Sequence, residues 1–150
     1  MNINIRLAKR SDIDAITKFN MAMALETEDK KLDEKTLRSG VEALFENKEH
    51  GFYIVAEDEG NTVGSLMITT EWSDWRNGLF WWIQSVYVKE KFRRKGIYRK
   101  MYEFIKDKAG ENDKIAGFRL YVEKNNITAR KAYESLGMEE TYYSLYEEMK

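Results

Sequence analysis

Ile3, Ile5 and Leu7 alternate with Asn4 and Arg6, the period-two pattern of a half-buried strand. Ser11 followed by Asp14 resembles a capping box, and Ile13, Ile16, Phe19 and Met23 then recur at helical spacing. Leu37, Val41, Leu44 and Phe45 repeat the helical period. Phe52 to Ala56 and Thr62 to Thr69 are apolar and β-branched runs flanking Glu57-Asp58-Glu59-Gly60-Asn61, which reads as a hairpin. A third run, Leu79 to Val88, follows a turn at Arg76-Asn77-Gly78. Three antiparallel strands in a row are the expected centre of the fold.

Beyond Val88 the rhythm changes to loop, helix, strand, helix, strand. Ile97, Met101, Phe104 and Ile105 mark a helix, and Phe118 to Val122 a strand. Ala129, Ala132, Tyr133 and Leu136 mark a second helix, stopped by Gly137 at the C′ position. Tyr142 to Met149 alternates as a closing strand. Hairpins followed by βα units imply a mixed α/β sheet flanked by helices. No repeat, linker or domain boundary interrupts the pattern, so residues 1–150 read as one domain.

Composition narrows the chemistry. The chain has no cysteine and a single histidine, His50, so disulfides, thiolate metal sites and a cysteine nucleophile are excluded and no cluster of transition-metal ligands is expected. The longest strongly apolar run, Leu79 to Ile83, is far shorter than the roughly 20 residues of a membrane span, and Met1 to Arg10 holds no signal-peptide core. A soluble, cytoplasmic protein is expected. Net charge is −1, yet Lys89 to Lys108 holds nine Lys or Arg against three acidic residues. An anionic ligand belongs there. The rest of the chain is net acidic, so no extended basic face for nucleic acid or a membrane is expected.

The basic segment has a specific layout: Ser85-Val86-Tyr87-Val88, then Lys89 to Phe92, then Arg93-Arg94-Lys95-Gly96-Ile97-Tyr98 at a helix start. A strand ending in a basic, glycine-containing loop that opens a helix presents backbone N–H groups and the positive end of the helix dipole to a phosphate. Neither G-x-x-x-x-G-K-[ST] nor G-x-G-x-x-G occurs, so the phosphate belongs to something other than a nucleoside triphosphate or a dinucleotide.

The segment "VYVKEKFRRKGIYRKMYEFI" resembles the cofactor motif of the GNAT superfamily of acyl-CoA-dependent N-acetyltransferases, a strand followed by [RQ]-x-x-G-x-[GA]. Arg93 and Gly96 are in register, and Tyr98 stands where the family has Gly or Ala. A second family stretch, N-x-x-A-x-x-x-Y-x-x-x-G-[FM], is similar to Asn126, Ala129, Tyr133, Gly137 and Met138. The resemblance implies a GNAT-like α/β (α+β) fold, with a mixed, mostly antiparallel sheet of six to seven strands and about four helices. It implies acetyl-CoA as cosubstrate, no metal, and an amine as acceptor. Backbone N–H groups of Arg94, Lys95, Gly96, Ile97 and Tyr98 would cradle the pyrophosphate, and Arg93, Arg94 and Lys95 would add charge near the same spot. Val86, Tyr87 and Val88 would pair with the pantetheine arm, and Asn126 would bond it from the other wall. Tyr133 would donate a proton to the departing thiolate. A homodimer is open, since many relatives are dimers.

The base is the open position. Family members often carry Glu on the strand before the loop, where this chain has Gln84. Glu71 is the first choice, with Asp74, Glu123 and His50 through water as alternatives, or Gln84 orienting a water chain. Trp72 and Trp75, with Asp74, suit the wall of a site for a cationic amine. Each has a plainer reading. Arg93 to Lys95 could be a solvated turn, Tyr133 a core-edge tyrosine, Asn126 a helix N-cap, His50 a surface turn residue, and at least one of Trp81 and Trp82 faces the core. A catalytically silent acyl-CoA-binding module is the alternative function, favoured by the missing Glu at position 84. A nucleic-acid-binding domain is the less favoured one.

Overall fold

The four strands Ile3–Leu7 (β1), Gly51–Asp58 (β2), Asn61–Ser73 (β3) and Gly78–Val88 (β4) run antiparallel, each beside the next in sequence. In this computed structural model, which describes residues 1–150, a fifth strand, Ile115–Arg119 (β5), joins β4 in parallel and completes a five-stranded sheet. The helices are Ile13–Glu28 (α1), Glu34–Glu46 (α2), Ile97–Gly110 (α3) and Ile127–Ser135 (α4). Two compact units are formed: Met1–Leu120 carries the sheet and α1 to α3, and Tyr121–Lys150 carries α4.

Within the first unit the alternation of the strands sorts side chains to two faces. Tyr53 and Val55 of β2 pack under Ile13, Ile16 and Val41, so α1 and α2 cover one face. On the other, Ile97, Met101 and Ile105 of α3 are fully buried, and α3 packs against β1 and β2. Trp81 is buried among Phe52 and Phe118, whereas its neighbour Trp82 is half-buried on the α1 side. The hairpin between β2 and β3 turns at Glu59-Gly60, both left-handed (φ 49° and 84°), and Asn77 (φ 49°) turns β3 into β4.

Several expectations are corrected. The sheet has five strands rather than six to seven. Residues 142–149, expected as a strand, form none, and their aromatic side chains are exposed. The fifth strand lies at Ile115–Arg119, three residues before the expected Phe118–Val122, because Leu79–Trp82 of β4 supplies its only ladder. β3 runs on to Ser73, so Glu71 and Trp72 are strand residues and not loop residues. The capping box at Ser11 and Asp14 does not form. A single 3₁₀ turn at Arg10–Asp12 precedes α1, and Asp12 organises it by accepting the Lys9 N–H at 2.7 Å.

Asp12 also explains why Arg6 breaks the alternation of β1. Its two carboxylate oxygens accept Nη1 and Nη2 of Arg6 at 2.8 and 3.0 Å, while Arg6 Nε donates to Glu57 Oε2 at 3.1 Å. Strand β1, the α1 entry and β2 are thereby tied by one guanidinium. Burial alone would push the Asp12 carboxyl up, but Arg6 and the Lys9 N–H outweigh it and hold the carboxyl below its ordinary value. A depressed carboxylate pKa stabilises the fold above the unfolded value near 3.9 and loses that stabilisation as pH falls through the folded value. Asp12→Asn should therefore cost about 1–3 kcal/mol at pH 7, measured by urea melts. The gap to wild type should narrow below pH 4.

Candidate functional site

Strand β4 changes character at its middle. Met67 of β3 stands opposite Gln84 and Ser65 opposite Tyr87, so Ser85 and Val86 share the single partner Leu66. Ser85 takes a left-handed conformation (φ 53°), which makes this a bulge that bends the strand. Strand β5 pairs only with Leu79–Trp82, so the Ile83–Val88 stretch of β4 has no neighbour on that side. Lys89 N–H donates to the Val63 carbonyl at 2.9 Å, which directs the backbone groups of Tyr87 and Lys89 to β3 and those of Val86 and Val88 to the open edge. An extended ligand can add there as a strand does.

The loop that follows is built around Arg93. Its Nε donates to the Val88 carbonyl at 2.7 Å and its Nη2 to Glu26 Oε2 of α1 at 2.8 Å. The guanidinium lies 5.3 Å from the Tyr87 ring centroid, and that ring stacks on Phe19 at 5.1 Å. Arg93 thus spends its charge within the protein, contrary to the expectation that it adds to a phosphate site, and it occupies the Val88 carbonyl expected to serve the ligand. The exposed side chains of Arg94 and Lys95 remain. Arg94 (φ 61°) and Gly96 (φ 79°) are left-handed, and Gly96 is the N-cap of α3 with no side chain closing it. The first helical bond runs from Lys100 N–H to the Gly96 carbonyl at 3.1 Å. First-turn N–H groups therefore have no carbonyl behind them in the helix and point at the space above the loop. The Tyr98 ring, 6.3 Å from that of Tyr102, lies along α3.

At the closed end of the opened edge stands a charged cluster that the sequence did not disclose. Glu71 Oε1 accepts Trp82 Nε1 at 3.0 Å and Arg119 Nη1 at 2.8 Å. Trp82 and Arg119 form the last paired rung of β4 and β5, and the Arg119 guanidinium lies 3.7 Å over the Phe80 ring centroid. Gln84 shares this face, two residues on. Trp72, by alternation, turns to the opposite face from Glu71, and Trp75 is 87% exposed at the hairpin tip beside Asp74. The structure places Glu71, Trp82 and Gln84 on one face of the sheet, with Trp72 on the other and Trp75 at the hairpin tip. His50 is an exposed turn residue, as expected. Between α1 and the start of α2 lies an open cavity of about 600 Å³ lined by Lys18, Met21, Ala22, Leu25, Lys31 and Glu34. No group of His, Cys, Asp and Glu is arranged to hold a metal, and no helix is long and apolar enough to cross a membrane.

In the second unit Asn126 caps α4, its side-chain oxygen accepting the Ala129 N–H at 3.2 Å. Gly137 (φ 96°) ends the helix, and its N–H donates to the Glu134 carbonyl at 3.0 Å. Tyr133 is half-buried, and burial pushes its phenol up.

Comparison with known proteins adds the following. A family model described as "Acetyltransferase (GNAT) family" matches residues 17–138. The crystal structure of a possible acetyltransferase from Clostridium difficile 630 is 47% identical, with TM-score 0.92 over 100% of this chain and 99% of that one. A predicted acetyltransferase from Clostridium acetobutylicum, solved with acetyl-CoA, superposes at TM-score 0.80 with 19% identity, covering 98% of this chain and 96% of that chain. Glucosamine-6-phosphate N-acetyltransferase from Arabidopsis thaliana superposes at 0.75 with 20% identity over the whole of both chains. The last two likenesses are of fold. No curated protein matches.

Replacing Gly96 by Val keeps the space around its Cβ clear, since nothing lies within 4 Å, but forces a β-branched residue to a φ of +79°. A stability loss of about 1–2 kcal/mol is expected from that strain alone, read as a fall of a few degrees in Tm. Unchanged melting would show the loop relaxing out of this conformation.

Proposed function

The chain belongs to the GNAT acetyltransferase family, and on that premise we propose that it transfers an acetyl group from acetyl-CoA to a primary amine of a small molecule or peptide by direct attack. The observation that carries the proposal is the pairing of an opened β4 edge with a left-handed Arg94–Gly96 loop at the α3 N-terminus. The edge suits the amide groups of a pantetheine arm and the loop suits a pyrophosphate. On this reading the N–H groups of Arg94 to Tyr98 hold the phosphates, aided by the charges of Arg94 and Lys95. Val86 and the Val88 N–H bind the arm. Asn126 adds its amide N–H groups, because capping uses only its oxygen. Acetyl-CoA supplies the acetyl thioester.

Tyr133 is the proposed general acid. Protonating a thiolate of conjugate-acid pKa near 8.5 from a phenol near 10 is uphill by about 2 kcal/mol, and burial of Tyr133 adds to that. The mismatch is small beside the roughly 7–11 kcal/mol that positioning can supply. A phenol held above its ordinary pKa also keeps its proton throughout the working range. The test is isothermal calorimetry with CoA and thiol release from acetyl-CoA against a panel of amines. Tyr133→Phe should bind CoA as wild type does and turn over roughly 10²-fold more slowly. CoA binding with no turnover on any amine would support the silent-module reading, which the Gln at position 84 favours. No CoA binding would remove both.

For the acceptor, Glu71 is the proposed anchor. Its Oε1 is taken by Trp82 and Arg119, while Oε2 accepts no hydrogen bond from the protein. An amine at Oε2 would lie against the indole of Trp82, and a long acceptor would extend along the hairpin to Asp74 and Trp75. Glu71→Gln should raise the KM for the amine about tenfold and leave CoA affinity unchanged. Trp75→Ala should raise KM only for peptidic acceptors. If Glu71→Gln behaves as wild type, the acceptor belongs in the cavity between α1 and α2.

A further inference from the structure

Arg119 is held in a way that strand pairing alone does not require. Strand β5 is already laddered to β4 through Leu79–Trp82, yet the Arg119 side chain crosses β4 to reach Glu71 of β3, where its Nη1 donates to Oε1 at 2.8 Å. Its guanidinium lies 3.7 Å over the Phe80 ring centroid. That ring lies against Gly117, where an added Cβ would stand 3.0 Å from Cε1. From the other side Trp82 Nε1 donates to the same Glu71 oxygen at 3.0 Å. Each partner of the ion pair is thus fixed by a second contact, and all five residues belong to Met1–Leu120.

What the pair leaves unused is as definite as what it uses. Glu71 Oε2 accepts nothing from the protein, and Arg119 Nε and Nη2 donate to no protein oxygen and are not sealed from solvent. Arg76 brings a second guanidinium to 5.0 Å from the Phe80 centroid and donates to Ser73 Oγ rather than to a carboxylate. An amine alone gains from Glu71 and loses to Arg119, and an anion alone does the reverse. A molecule with both groups side by side gains at both ends, because the Nε–Nη2 edge of a guanidinium is a two-donor fork matched to a carboxylate. Oε1 and Nη1 are in direct contact, so the unused oxygen and the unused fork are near neighbours. The groups that reach them belong on one carbon.

We propose that Arg119 sets the substrate class: the acceptor is an α-amino acid, its nitrogen at Glu71 Oε2 and its carboxylate on the Nε–Nη2 edge of Arg119. This rests on the reading of the chain as an acetyl-CoA-dependent N-acetyltransferase with Glu71 as the amine anchor. The nitrogen lone pair forms the amide C–N bond as the thioester C–S bond breaks. Sulfur gains one proton and nitrogen gives one to solvent, which leaves CoA and an N-acetyl amino acid. The product keeps its carboxylate and loses its basic nitrogen, so Glu71 no longer attracts it.

The test compares α-amino acids of each side-chain class with their amides, which keep the amine and lose only the carboxylate charge. The amide nitrogen partner is the less basic amine and more of it is neutral at pH 7, so a preference for the acid reports binding rather than availability. In thiol release from acetyl-CoA, wild type should show kcat/KM at least about tenfold higher for the acid than for its amide. Arg119→Lys, which keeps the charge and loses the fork, should raise KM for the acid about tenfold or more, leave the amide unchanged, and bind CoA as wild type does. Equal use of acid and amide by wild type overturns the proposal whether or not the variant folds. So does an equal loss on both in Arg119→Lys, which would make Arg119 a support for Glu71 alone. A preference for the acid that survives in Arg119→Lys also overturns it and moves the carboxylate to another cation, such as Lys18 or Lys31. If no amine is turned over, the transferase reading fails, and calorimetry of the same acids and amides on the CoA-loaded protein decides the site by itself. Acid binding that Arg119→Lys abolishes supports it, and binding of neither overturns it.

Discussion

The extra residue in β4 is the constraint on which the candidate site depends. With Ser85 and Val86 both opposite Leu66, the strand bends, and the β5 ladder stops at Trp82 and Arg119. Without that bend, β5 could continue along β4 and the backbone of Val86 and Val88 would be consumed by the sheet. A non-glycine residue at positive φ costs on the order of 1–2 kcal/mol, so the surroundings must hold it. They do so on the α1 face, where Phe19, Tyr87, Arg93 and Glu26 form one continuous stack of ring on ring, ring on guanidinium and guanidinium on carboxylate. The bulge and the loop are therefore braced by the same helix, and each is fixed only while the other is.

That brace divides the basic segment into charges with different work. Arg93 is paired with the Glu26 carboxylate and donates to the Val88 carbonyl, so it shapes the loop rather than attracting a ligand. Arg94 and Lys95 are solvent-facing, where charge acts over a Debye length of about 8–10 Å and weakens with salt. The N–H groups at the start of α3 act over one hydrogen-bond length and are insensitive to salt. On the proposed reading, lysine and arginine set the rate of encounter and the backbone sets the fit.

The sequence makes the core plain wherever periodicity carries it. Val41, Ile97, Met101 and Ile105 were readable as buried faces, and Asn126 and Gly137 as the two ends of α4, because caps and apolar stripes are local. Ser85 was not readable. Serine has no special claim on a positive φ, and the bulge arises from pairing between β3 and β4, where the flanking pairs Met67–Gln84 and Ser65–Tyr87 are 17 and 22 residues apart. Arg119 escaped for a similar reason: its partners Glu71 and Phe80 are brought to it by strand pairing, not by spacing. Residues 142–149 illustrate the converse. Their alternation reads as a strand, but alternation fixes only which side chains share a face and names no pairing partner, and no strand forms there.

The cluster at the last rung also bears on the missing Glu at position 84. Glu71 and Arg119 carry opposite charges 2.8 Å apart, so the pair presents little net field to an arriving acceptor. An ammonium ion near Glu71 Oε2 would gain from the carboxylate and lose to the guanidinium, and it would also shed water against Trp82 and Phe80. A neutral amine incurs neither the repulsion nor the full desolvation cost, and it accepts or donates a hydrogen bond equally well. On the proposed reading the site thus favours an amine that has already lost its proton to solvent. A strong base on β4 is then unnecessary, and Gln84, which cannot take a proton but can orient an N–H or a water, is compatible with the chemistry. The rate at low acceptor concentration should accordingly rise with pH up to the pKa of the amine itself, whichever protein carboxylates are present.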